Sequence, residues 1–140
     1  MSDNKYKFLE HTADIKIKLF GSSLSNVFEN AALAVSEFLS RGGKIKNQKV
    51  KKIKIEGEDY ESLMYGFLDE LVYLLDAKYF VVAKAKVKID KKLFVLEGKL
   101  FGDNASNYEN LDHYKAATYT EMYIKQKPDK SWEAQVVLDV

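Results

Sequence analysis

The chain has 140 residues, 46% hydrophobic and 31% charged, a balance that suits one globular domain over 1–140 rather than a disordered chain. It carries no cysteine, which excludes disulfides, thiolate metal sites, cysteine nucleophiles and iron–sulfur clusters together. Twenty-two basic against 21 acidic residues leave a net charge of +1, so the molecule as a whole has no strong field for nucleic acid.

Met1-Ser2-Asp3-Asn4-Lys5 leads into no apolar run, so no signal peptide is expected. No apolar stretch is long enough for a membrane helix, and a soluble, cytoplasmic protein without membrane partners is expected. Residues 6–20 read as extended, with Ile15, Ile17 and Leu19 on one face and Asp14, Lys16 and Lys18 on the other. Leu24, Val27, Phe28, Ala31, Val35, Phe38 and Leu39 recur at helical spacing over 24–40, with Ser23 as N-cap and Gly42 as stop. A strand follows near 49–56, where the broken parity between Val50 and Ile53 suggests a bulge or a late start.

Asp59 should cap a second helix over 60–78, with a stripe of Leu63, Phe67, Leu71, Leu74 and Leu75 widened by Leu68, Val72 and Tyr79. Asp69, Glu70 and Asp76 fall in its later turns, where the helix dipole disfavours acids; they read as solvated. Strands are expected over 80–89 and 93–101 with a tight Asp90-Lys91-Lys92 connection, then a polar loop over 102–113 and strands near 115–126 and 132–139. Strand, helix, strand, helix and four strands define an α+β class: a largely antiparallel or mixed sheet with two helices packed on it.

No phosphate-cradling glycine motif, HExxH or GxSxG is present, and His11 and His113 are the only histidines. By exclusion the chain reads as a binding or assisting protein rather than a stand-alone enzyme.

Five ordered blocks carry a family resemblance. Phe8-Leu9-Glu10-His11-Thr12-Ala13-Asp14-Ile15 resembles the opening motif of the archease family. Gly21, Leu24 and Phe28–Ala34 resemble its first helix, and Phe67-Leu68-Asp69-Glu70-Leu71-Val72-Tyr73-Leu74 its second. His113, Lys115-Ala116 and Thr118-Tyr119 resemble its later motif, and Val136–Val140 its ending. Phe67 stands in place of the usual Trp and Asp69 in place of the usual Asn; Glu97-Gly98 stands where a Gly-Glu pair is common.

The resemblance implies an activator of an RtcB-type tRNA-splicing ligase, promoting guanylylation of the ligase and its repeated turnover. It further implies a divalent metal, calcium first with magnesium or manganese as alternatives, on Asp14, Asp139 and a backbone oxygen at Val140. Hard cations take such oxygen donors, and the two carboxylates would repel one another without one. His11, His113, Lys115 and Thr118 are candidate partner contacts. His11 reads more simply as an anchor of its loop, and Lys115 and Thr118 cannot share one face of a regular strand. RNA contact is expected to be indirect or weak. A rival reading makes the chain an RNA-binding or tRNA-modification accessory acting through its lysine-rich strands. A metal-dependent hydrolase is weaker still, because no general base accompanies the two acids.

Overall fold

The computed structural model describes residues 4–9 and 14–140. His11 therefore lies outside the described residues. The strands are β1 (Tyr6–Leu9), β2 (Ile15–Gly21), β3 (Lys49–Glu56), β4 (Phe80–Asp90), β5 (Val95–Asn104), β6 (Ala116–Gln126) and β7 (Trp132–Asp139). The helices are α1 (Leu24–Leu39) and α2 (Tyr60–Lys78), with a short 3-10 turn at Ala105–Asn107. The fold is α+β with two helices, and its strands divide into two antiparallel sheets, ordered β1-β2-β7-β6 and β3-β5-β4. Among the described residues no helix is long and apolar enough to cross a membrane.

Both helices bridge the sheets. α1 packs on β4 and β2, and α2 on β6, β4 and β3. Helical periodicity put Val27, Phe28, Ala31, Leu63, Phe67 and Leu71 on facing stripes, and all six are buried to 1% exposure or less. Phe28 and Phe67 meet edge-to-face, centroids 5.7 Å apart, joining the helices at the centre. Tyr60 at the start of α2 lies edge-on to Phe94 of the β4–β5 turn, centroids 5.4 Å apart, and to Trp132 of β7, centroids 5.9 Å apart.

The caps follow from local chemistry. Ser23 Oγ accepts from the Asn26 backbone N–H, and Asp59 forms a reciprocal capping box with Ser62. α1 ends at Leu39, and the chain turns through Arg41 and Gly42 in left-handed backbone, φ 56° and 82°. Tyr79 departs from expectation. It is the αL C-cap of α2 at φ 55° and is 67% exposed, so it leaves the apolar stripe. Helical spacing extrapolates a side chain's direction only as far as the helix continues.

β3 pairs with β5 in unbroken register from Lys49 to Glu56, so no bulge separates Val50 from Ile53. Val50 simply faces solvent while Ile53 faces the core. The register shifts lie elsewhere, between Val82 and Lys84 on β4 and between Thr118 and Tyr123 on β6. β5 continues to Asn104, into the stretch expected as loop.

Candidate functional site

β2 and β7 bring the two ends of the chain together. Ile15 pairs with Leu138 at the end of their antiparallel ladder, and in that register Asp14 falls opposite Asp139. Asp14 is half-buried, and Asp139 and Val140 are exposed. The three candidate metal positions therefore share one rim of the four-stranded sheet. Among the described residues no group of three His, Asp or Glu side chains could hold a metal by itself. A cation here would have two carboxylates, Asp14 and Asp139, with backbone oxygen, water or a group from elsewhere completing its shell. This hard-donor set fits calcium or magnesium in kind and is incomplete in number.

The segment before β6 locks the rim to both helices. The Asp112 N–H donates to Leu39 O at the end of α1 (2.7 Å), and the Lys115 N–H donates to Asp139 O (2.7 Å). Between them, Tyr114 is fully buried and its hydroxyl donates to Leu68 O of α2 at 2.6 Å. Burial pushes that hydroxyl's pKa well above its ordinary value, so it remains a donor. His113, on the opposite side of the chain from Tyr114, places Nε2 2.9 Å from Asp76 Oδ1 of α2, with both side chains exposed. Asp76, read from sequence as solvated, is thus a partner of His113.

Lys115 is exposed just ahead of β6. Thr118 sits at the bulge, donating to Thr120 Oγ1 at 3.0 Å and accepting from the Thr120 N–H at 3.1 Å. The bulge carries Glu121 in left-handed backbone (φ 56°), and its carboxylate meets Lys16 Nζ of β2 at 2.7 Å. Lys115 and the Asp139 backbone belong to the rim. His113 belongs to the α2 side of it, and Thr118 is committed locally.

Asp69 was missed by sequence reasoning as more than a solvated acid. Its carboxylate accepts from the Ala117 backbone N–H, one residue along β6 from the partner of Asp139. Burial raises its pKa and the Ala117 bond draws it part of the way back; burial also raises that of neighbouring Glu70. The only signal in the sequence was an acid placed against the helix dipole late in α2.

Replacing Tyr114 by Phe removes one buried hydrogen bond and keeps the ring. It is expected to cost about 1 kcal/mol. That corresponds to a fall of about 3 °C in the melting temperature measured by circular dichroism.

The two-sheet, two-helix arrangement is that of the solution structure of protein 1598 from Methanobacterium thermoautotrophicum. The match has a TM-score of 0.81 at 34% identity and covers 97% of this chain and 99% of that one. Residues 6–140 match the Archease protein family (MTH1598/TM1083). Protein archease of Pyrococcus furiosus is 40% identical over 140 residues, covering 97% of this chain and 99% of that protein. Protein archease of Sulfurisphaera tokodaii is 38% identical over 125 residues, covering 88% and 90%. The chain belongs to the archease family.

Proposed function

We propose that this chain activates an RtcB-type tRNA-splicing ligase in the cytoplasm, promoting guanylylation of the ligase and its multiple turnover, and that it performs no ligation itself. The observation that carries the reading is the placement of Asp14 opposite Asp139 at an open rim of the sheet. Two carboxylates at facing register positions repel one another unless a cation or a cationic group lies between them. An exposed rim with two protein carboxylates leaves coordination positions for a partner's groups. When bound, a divalent cation there supplies charge neutralisation for a phosphoryl group, and guanylyl transfer depends mainly on placement and neutralisation.

The chain's own residues do the positioning. Lys115 N–H fixes the Asp139 carbonyl, and Tyr114 and His113 tie that segment to α2. Asp69, whose pKa burial raises, is an acid beside the rim that keeps its proton to higher pH than an ordinary aspartate.

The test is a guanylylation assay with the matched ligase. Asp14→Ala and Asp139→Ala are each expected to lower the stimulation at least about tenfold, as loss of a metal-site group does. Because Asp139 is exposed, its replacement should move the melting temperature little, with stability changing by no more than about 0.5 kcal/mol. Full stimulation by both variants would refute the role given to the rim.

A further inference from the structure

The outer face of the three-stranded sheet is a lysine grid. Register places Val50, Phe101 and Lys84 in one row across β3, β5 and β4. Lys52, Lys99 and Lys86 form the next row, and Lys54, Glu97 and Lys88 the third. All six lysines of the grid are exposed, with Glu97 the one acid among them. Beyond the third row lie Glu56 and Asp90, and the Asp90 carboxylate is held by the backbone N–H groups of Lys92 and Leu93. The opposite face, with Ile53, Val87, Leu96 and Leu100, is buried in the core.

Two features set this face apart from ordinary solvated strands. Edge lysines protect a sheet from pairing with another chain, which accounts for β3 and β4. Lys99 is on the central strand, where there is no edge to protect. Like charges directly opposite one another on neighbouring strands are destabilising, and Lys99 has a lysine opposite it on both sides. A row that works against the fold, on a chain whose net charge is only +1, calls for an anion.

We infer that this face binds the phosphate backbone of a single-stranded polynucleotide, with Lys52, Lys99 and Lys86 as its central contacts. Neighbouring strands lie about 4.8 Å apart and residues two apart on a strand about 6.6 Å apart, so the backbone presents the grid's lysines at closely repeated positions on one face. Phe101 lies half-buried at one end of the grid beside Lys84, whose Nζ is 5.4 Å from the ring centroid. An aromatic ring on an open sheet face offers a surface for stacking a base, and lysines beside it follow the backbone. The interaction reads charge rather than sequence, and its affinity falls in the range of non-specific binding, with Kd about 1 to 100 μM at physiological salt.

The experiment is fluorescence anisotropy of a labelled oligouridylate titrated with the full chain between about 50 and 200 mM salt. The Lys52→Ala/Lys86→Ala/Lys99→Ala variant should bind at least tenfold more weakly at low salt. Its log Kd against log salt slope should be shallower by about 2, since each phosphate that is no longer neutralised takes about 0.7 from the slope. Lys7→Ala/Lys44→Ala/Lys125→Ala removes the same charge from outside the grid and should leave the slope unchanged. Lys52→Arg/Lys86→Arg/Lys99→Arg should retain wild-type binding, and circular dichroism should show the alanine variant folded. The inference is overturned by absence of wild-type binding at the lowest salt, by an unchanged slope in the grid variant, or by equal weakening in the control.

Discussion

Phe67→Ala is expected to lower the unfolding free energy by about 3–5 kcal/mol, measured by urea denaturation. Phe67 is fully buried on α2 and meets Phe28 of α1 edge-to-face at 5.7 Å, where the two helices join between the sheets. Truncation removes the transfer energy of the ring and leaves a cavity that Leu63, Leu71 and Phe28, each held by its own helix, cannot all close. The aromatic pair contributes a further term of about 1 kcal/mol that no aliphatic neighbour replaces. Phe67→Leu should recover more than half of the loss because most of the volume returns. A cost below about 1 kcal/mol for Phe67→Ala would mean that the helices are not joined through this pair of rings.

Gly102→Ala should be as damaging although it adds a single methyl group. A Cβ built at Gly102 would lie 2.1 Å from the carbonyl oxygen of Val81 and 2.8 Å from Phe80 Cζ. The nearer obstacle is backbone, so rotating a side chain gives no relief and β4 itself must move. β4 is pinned at that point by pairing to β5, by α1 and by the buried Phe80, Val81 and Val82. The expected cost is about 3 kcal/mol or more, at or above the upper end of overpacking effects. Gly98→Ala should behave alike, since its Cβ would meet Lys86 O at 2.3 Å. Alanine at Gly43, where the nearest atom would be 3.1 Å away in an exposed turn, is the mild comparison. Near wild-type melting of Gly102→Ala would show that β4 yields more easily than this packing implies.

These positions also show how unevenly the molecule could be read from its sequence. Both helices were legible because their apolar residues recur at one spacing over many turns and their caps, Ser23 and Asp59, act within three residues. Tyr79 was not, because a left-handed cap ends the periodicity that placed it. The split into two sheets was illegible too. Which strands pair depends on register between segments far apart in sequence, and alternation within a strand is silent on that. The candidate site shared this fate. Asp14 and Asp139 were singled out through family resemblance, and their facing positions follow from the β2–β7 ladder, which no local pattern reveals. Asp69 and Tyr114 act through Ala117 and Leu68, partners distant in sequence. The lysine-rich strands were visible in the sequence, but the row of Lys52, Lys99 and Lys86 draws one residue from each of three strands.

The ladder between β2 and β7 has a kinetic side as well. One of the first strands is held by the last element of the chain, so the four-stranded sheet closes a loop spanning almost the whole sequence. Closing so long a loop is entropically costly before any pairing rewards it, and such topologies fold slowly. During synthesis β2 must wait beside β1 for a neighbour not yet translated, with the edge it will give to β7 open to mispairing. The same late event that completes the sheet sets Asp139 opposite Asp14, so the acidic rim exists only once β7 has joined β2.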